Sequence, residues 1–340
     1  MAHTGGWTRR GSKSRGFRYF DHKGREITDA ATLERVDKLR IPPAWRNVWI
    51  SPRPGAKLQA TGFDKAGRKQ YLYHPDFRAK QEQAKFDKLV RFGERLSAIR
   101  AAMAADMDRD HLGRERVSAI ALSLINLGWF RPGSERYAKE SRTYGITTLR
   151  KSHATVRGGR IRLNFRGKHK VWVRTVLVDT ELADALKELL ALEGGTRLFR
   201  YRGADDELVN LTERHLNEYV REHMGDDFTV KDFRTWGGTL LAAVALAEHG
   251  PAESETQAKK TVTAVCRRVA DRLGNTPAVC RASYISPPVI DQYLDGRTLD
   301  DFRPRHLRVV SARDADLQPE ERALLSLLRS WQIRQAREAA

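Results

Sequence analysis

Apolar residues change their spacing near Pro75, and that change divides the chain. Before it, the runs VWISP (48–52), KLQATGFD (57–64) and RKQYLYH (68–74) mix β-branched and aromatic residues with polar ones, the signature of short strands, with Asp64 to Gly67 as a turn. One helix is predicted over Ala30 to Leu39, stopped by Ile41-Pro42-Pro43 because a residue before proline is pushed out of helical dihedrals. After Pro75, Phe86, Leu89, Leu96, Ile99 and Met103 fall on one stripe at helical spacing. The division predicts two domains, 1–77 rich in sheet and 78–340 mainly helical.

A second helix is expected over Arg114 to Leu127, delivering Gly128-Trp-Phe-Arg131-Pro132 at its end. Between Ile146 and Val178 the helical period gives way to alternation. Ile161, Leu163 and Phe165 alternate with Arg160, Arg162 and Asn164 after the hairpin signal Gly158-Gly159. A further strand starts near Val171, so Arg166 to Lys170 form a turn with Lys168 at its tip. Helices are then predicted over Thr180 to Leu192, Leu211 to Met224, Val230 to His249, Ser254 to Leu273 and from Pro319 onward. The fold class is therefore α+β: a small sheet-rich domain and a larger helical one carrying a small antiparallel sheet.

Charge sharpens this picture. The 340 residues hold 62 Lys and Arg against 43 Asp and Glu, a net charge of +19, which points to a polyanionic partner, nucleic acid first. Residues 1–80 contain 18 basic and 7 acidic side chains, and Ser141 to Val178 contain ten basic and none acidic. Solvated faces normally mix both signs, so the second stretch reads as a ligand-facing one. No apolar run is long enough to span a membrane and the start MAHTGGWTRRGSKSRG has no apolar signal core, so a cytoplasmic chain without membrane contact is expected. Cys266 and Cys280 are too few for a disulfide framework or a cysteine-rich metal site and read as packing residues on helices. No Walker, HExxH or cysteine-histidine pattern is found, so neither metal nor cofactor is expected. The pairs Asp205-Asp206 and Asp300-Asp301 read as solvated turns.

Four segments carry chemistry: GWFRPGSERY (128–137), FRGKHK (165–170), KDFRTWGG (231–238) and RLGNTPAVCRASYISP (272–287). They supply Arg131, Lys168, Arg234, Asn275 and Tyr284. A phenol can attack a phosphodiester, arginines and an amide can hold phosphate oxygens, and a lysine can protonate the departing oxygen. Thr229 is a plausible N-cap, which puts Arg234 in the first turns of its helix, where free backbone amides also favour an anion. Gly274 reads as a helix stop, Thr276 as the next N-cap and Pro277 as the first helical residue, so Tyr284 is expected about two turns into a short helix ended by Pro287-Pro288. Taken singly, Arg234 also fits an ion-paired structural arginine and Tyr284 a half-buried core tyrosine.

The order Arg131, Lys168, Arg234, Asn275, Tyr284 resembles that of the poxvirus-like type IB DNA topoisomerases, bacterial members included, over nearly the whole chain. The resemblance implies a two-domain clamp on double-stranded DNA that works as a monomer, near the nucleoid. It implies an isomerase that relaxes positive and negative supercoils without ATP or metal. In that family the tyrosine matching Tyr284 forms a 3′-phosphotyrosyl link, the lysine matching Lys168 protonates the 5′ oxygen with Lys231 as a helper, and the arginines matching Arg131 and Arg234 hold the non-bridging oxygens. This chain departs at Asn275, where the family pattern has histidine, keeping the hydrogen bond but not the charge. Gln70, Tyr71, Tyr73 and Tyr137 match DNA-contacting positions, although sheet packing also accounts for the tyrosines of the first segment.

Two rival readings share features with this one. A tyrosine site-specific recombinase uses the same catalytic logic, but this chain has Lys231-Asp-Phe-Arg234 where recombinases carry histidine two residues before Leu-Arg. A non-catalytic basic DNA-binding protein would not need a phenol among cations. The tail beyond Arg305 reads as a packing helix through Leu324, Leu325 and Leu328.

Overall fold

The computed structural model describes residues 5–303 and 317–338. The start of the predicted tail, 304–316, lies outside the described residues. The chain forms two compact units, Met1–Lys85 and Phe86–Ala340, divided within one long helix.

The first unit is an antiparallel sheet of β1 (Trp7–Ser12), β2 (Gly16–Phe20), β3 (Arg46–Ile50), β4 (Leu58–Phe63) and β5 (Lys69–Tyr73) in the order β2-β1-β3-β4-β5, with helix α1 (Ala30–Lys38) between β2 and β3. The Asp29 side chain caps α1 by accepting from the Thr32 N–H at 2.8 Å. Val36, Ile41, Val48, Ile50 and Ala60 form its small core. Arg9 fastens the loop after α1 by donating to the carbonyls of Ile41 at 3.2 Å, Pro42 at 3.1 Å and Trp45 at 2.8 Å. β3, β4 and β5 coincide with the three expected strands. β1 and β2 are additional, because runs such as WTRRGS dilute the apolar alternation with arginine.

The second unit begins within α2 (Pro75–Met107) and continues with α3 (Arg114–Gly128) and α4 (Glu135–Ser141). A three-stranded antiparallel sheet of β6 (Ala154–Arg157), β7 (Arg160–Arg166) and β8 (Trp172–Val178) follows, with β7 central. Next come α5 (Thr180–Ala191), a hairpin of β9 (Arg200–Arg202) and β10 (Leu208–Asn210), α6 (Glu213–Met224), α7 (Val230–His249), α8 (Glu255–Leu273), α9 (Pro277–Ser283), α10 (Pro287–Leu294) and α11 (Pro319–Glu338). The stripe Phe86, Leu89, Leu96, Ile99 and Met103 is buried as its spacing requires. Ile161, Leu163 and Phe165 turn one face of the sheet into the same core, and α3 and α7 are buried along most of their length. Leu324, Leu325 and Leu328 of α11 are buried too, as are both cysteines, on α8 and α9. Among the described residues no helix is long and apolar enough to cross a membrane.

One expectation is corrected. Pro287-Pro288 do not end the helix that leads to Tyr284; they open α10, where a proline at the first helical position gives up an N–H that would be unpaired anyway. α9 stops at Ser283, and Tyr284 is the non-helical residue that follows, with φ −133°.

Candidate active site

Arg131 owes its place to the end of α3. Trp129 adopts a left-handed conformation with φ 53° and closes the helix by donating to the Ile125 carbonyl at 2.8 Å. The turn sends Phe130 into the core, and the strand-like segment after it is pinned by Ile146 N donating to the Arg131 carbonyl at 3.0 Å. The Arg131 guanidinium donates from Nη2 to the Gly274 carbonyl at 3.2 Å and to Asn275 Oδ1 at 2.6 Å. Gly274 is the left-handed stop of α8, with φ 60°, so the helix end itself supplies both acceptors.

Arg234 reaches the same helix end from α7. That helix starts as expected at Thr229, whose N–H donates to Asp232 Oδ2 at 2.8 Å. Arg234 is only 4% exposed, and its guanidinium donates to the Leu273 carbonyl at 2.8 Å and to the Trp129 carbonyl. Among the described residues neither Arg131 nor Arg234 is in an ion pair with a carboxylate. Burial, and then the charge of Arg131, lower the Arg234 guanidinium to about 10, which still leaves it charged at neutral pH.

Tyr284 is 7% exposed, its ring centroid 5.4 Å from the Arg234 guanidinium carbon. Its N–H donates to the Cys280 carbonyl at 2.9 Å, and its carbonyl accepts from Thr239 Oγ1 at 3.2 Å. Burial by itself would raise the phenol, but the charges of Arg234 and Arg131 outweigh it and hold the phenol below the usual tyrosine value, with Lys231 adding to the effect. Asn275 spends its oxygen on Arg131, while its buried Nδ2 meets no oxygen acceptor among the described residues and faces the Cys280 thiol. Cys280 packs beneath, its thiol pushed up to about 11 by burial first.

Two glycines let these parts meet. A Cβ on Gly237 would stand 2.3 Å from the Trp129 indole nitrogen, and one on Gly238 would stand 2.7 Å from the Tyr284 carbonyl oxygen. α7 therefore touches the Trp129 turn and the Tyr284 segment at adjacent residues.

Lys168 comes from the turn between β7 and β8. Gly167 N donates to the Val171 carbonyl at 2.8 Å, and His169 and Lys170 take left-handed conformations with φ 60° and 62°. The lysine is exposed and, with Arg131 and Arg234, lines a cavity of about 200 Å³ whose walls include Trp129, Tyr144, Trp172, Arg174 and Arg272. Tyr284 and Asn275 do not line that cavity. They are tied to it through Arg234 and Arg131.

The family model described as "Eukaryotic DNA topoisomerase I, catalytic core" matches residues 74–293, and "Bacterial DNA topoisomerase IB, N-terminal domain" matches 16–64. The DNA topoisomerase 1B of Acanthamoeba polyphaga mimivirus is 35% identical over 283 residues, 81% of this chain and 83% of the viral one. The chain belongs to the type IB DNA topoisomerases. The vaccinia virus (strain Copenhagen) DNA topoisomerase 1B and the monkeypox virus DNA topoisomerase I are each 24% identical over 279 residues, 80% of this chain and 85% of theirs. The core match spans every segment that contributes Arg131, Lys168, Arg234, Asn275 and Tyr284 in this type IB topoisomerase.

The residues expected to touch DNA divide by exposure. Tyr71 and Tyr73 stand 48% and 40% exposed on one face of β5, their rings stacked with centroids 6.2 Å apart. Gln70, on the other face, donates to Asp64 Oδ2 at 2.9 Å. Tyr137 is exposed on α4, and Lys231 is exposed in the first turn of α7. Sequence reasoning did not single out Trp129, whose carbonyl holds Arg234 and whose indole walls the cavity, nor Trp172 and Arg272. A left-handed tryptophan has no sequence signal; the nearest hint was the Gly237-Gly238 pair that leaves room for its ring.

Proposed function

We propose that the protein relaxes supercoiled duplex DNA by transesterification through Tyr284, acting as a monomer without ATP or a metal ion. The observation that carries this is a buried phenol packed against the Arg234 guanidinium and within the field of Arg131, neither of which has a carboxylate partner among the described residues. An anion is the missing element of such an arrangement, and the scissile phosphate fits it. Arg131 and Arg234 hold the non-bridging oxygens, and the Nδ2 of Asn275, which meets no oxygen acceptor among the described residues, adds a neutral donor. Tyr284 Oη gives its proton to solvent water, an ionisation the neighbouring guanidinium charges favour, and bonds to phosphorus. The bond from phosphorus to the 5′ oxygen breaks, its electron pair stays on that oxygen, and Lys168 supplies the proton, assisted by Lys231. The result is a 3′-phosphotyrosyl ester and a free 5′-hydroxyl.

Torsion then turns the released end about the intact strand, so supercoils of either sign relax. The 5′-hydroxyl attacks the phosphotyrosine to reseal the strand. One phosphoester replaces another at each step, so no external energy is consumed. All five groups come from one chain, which supports a monomeric enzyme. The sheet-rich unit, with the exposed Tyr71 and Tyr73, and Tyr137 on α4 add duplex contacts.

The test is relaxation of negatively supercoiled plasmid in EDTA without ATP, with adducts trapped by detergent, for the parent and Tyr284→Phe. Relaxation together with 3′-linked adducts that vanish in the variant is expected. Adducts that persist in Tyr284→Phe, or a parent that binds DNA without relaxing it, would overturn the proposal.

A further inference from the structure

The basic stretch between Ser141 and Val178 is only partly used by the site, and five of its arginines share a further surface. Along β7 the side chains alternate strictly: Ile161, Leu163 and Phe165 are buried, and Arg160, Arg162, Asn164 and Arg166 are exposed. Register carries this outer face across the sheet. Arg160 lies opposite Arg157 of β6, Asn164 opposite Arg174 of β8, and Arg166 opposite Trp172. Five arginines thus share one side of a three-stranded sheet. None of them is in an ion pair among the described residues, whereas Arg100, Arg116 and Arg197 each hold a carboxylate. Like charges facing each other across strands, as at Arg157 and Arg160, destabilise a sheet unless an anion lies over them.

The face also has a direction. Trp172 is 49% exposed at the end nearest Lys168, with the Arg166 and Arg174 guanidinium carbons 5.3 Å and 5.5 Å from its ring centroid. Trp172 and Arg174 line the cavity that holds Arg131 and Arg234, so surface and cavity are continuous. From Arg166 to Arg160 the strand runs roughly 20 Å at about 3.4 Å per residue, the length of about six base pairs.

We infer that the outer face of the β6-β7-β8 sheet is a phosphate track for duplex DNA that continues outward from the cavity. Because the track begins at Lys168, it carries the side of the duplex that bears the departing 5′ oxygen. This assignment of side rests on the proposed function; the track itself does not.

The experiment is a salt titration of binding to a blunt duplex of mixed sequence, in the Tyr284→Phe background so that no adduct forms. Arg157→Ala/Arg160→Ala/Arg162→Ala removes the half of the face away from the cavity. Its slope of log affinity against log salt should flatten by about 2 to 3, since each neutralised phosphate contributes about 0.9. The control Arg221→Ala/Lys260→Ala/Arg337→Ala removes the same charge from exposed cations elsewhere in this unit and should change the slope by less than about 1. An unchanged slope in the first variant, or an equal change in the control, overturns the track. Should the triple variant melt below the parent, Arg160→Gln and Arg162→Gln alone should each flatten the slope by about 0.9, and failure of both is equally decisive. A parent that never relaxes plasmid would defeat the proposed function and leave this slope as the measure of the track; relaxation with an unmoved slope would defeat the track alone.

Discussion

Two arginines in the same unit, Arg100 half-buried and Arg234 buried, are treated in opposite ways. Arg100 of α2 grips Glu321 of α11 with both ends of its fork, at 2.7 Å and 2.8 Å. Glu321 is 3% exposed and also accepts from Trp236 Nε1 at 3.1 Å and the Gln318 N–H at 3.0 Å. Burial would raise the Glu321 carboxyl, but Arg100 and these hydrogen bonds hold it below the usual glutamate range. Arg234, two residues before Trp236 on α7, has no carboxylate among the described residues; the Leu273 and Trp129 carbonyls and the Tyr284 phenol orient the guanidinium without cancelling its charge. The first charge is closed by the fold and holds three helices together. The second is left open, which costs stability and, in the proposed mechanism, leaves the charge available to a phosphate.

The comparison can be broken at either side. Glu321→Ala strands a half-buried guanidinium and should cost about 3 kcal/mol in chemical denaturation, while Arg100→Met/Glu321→Leu recovers most of it. A Glu321→Ala protein as stable as the parent would mean that the pair closes nothing. Arg234→Ala should slow single-turnover DNA cleavage by about 10²–10³, roughly 2.7–4 kcal/mol, with the denaturation midpoint kept or raised. If its main effect is unfolding, the open charge is structural after all. Asn275→Ala removes one neutral donor and should cost about 1–2 kcal/mol in the same assay, and Asn275→His should recover it. An alanine variant as fast as the parent would remove Asn275 from the site.

The smallest effect is in pH. With the phenol held below its usual value near 10, cleavage should gain its ionised nucleophile at a lower pH than a free tyrosine would allow. Taking away Arg131 raises the phenol again, so the rising limb for Arg131→Ala should move to higher pH. A limb that stays in place would show that Arg131 does not act on Tyr284.

Where the proposed site residues sit in the fold was largely readable because they lie beside local signals. Gly274, Thr276 and Pro277 fix the end of α8 and the start of α9, and Thr229 fixes α7, so Arg234 and Asn275 could be placed on elements before any packing was known. The alternation around Phe165 likewise put Lys168 at a turn. What the signals lacked was tertiary closure. Nothing local distinguishes Arg100 from Arg234, because the difference is a carboxylate 221 positions away in one case. The misplacement of Tyr284 relative to its helix end has a similar origin: a proline pair can stop one helix or start another, and the sequence pattern alone does not choose. In the sheet-rich unit, β1 was hidden by Arg9, which folds back onto loop carbonyls, and Arg10, which lies over the Phe20 ring.

Gly237 and Gly238 bear on how variants of this protein would be interpreted. Neither side chain exists to touch a nucleotide, yet an added methyl at 237 would strike the Trp129 indole, and one at 238 would lie 2.7 Å from the Tyr284 carbonyl oxygen and 3.1 Å from its Cβ. A mutagenesis screen scored on relaxation would therefore mark both positions as essential and invite their placement among the reacting groups. They are better understood as the alignment tolerance of the machine. Alanine at 238 leaves every acid, base and cation in place, so it offers a way to detune cleavage and resealing together without altering the chemistry of either.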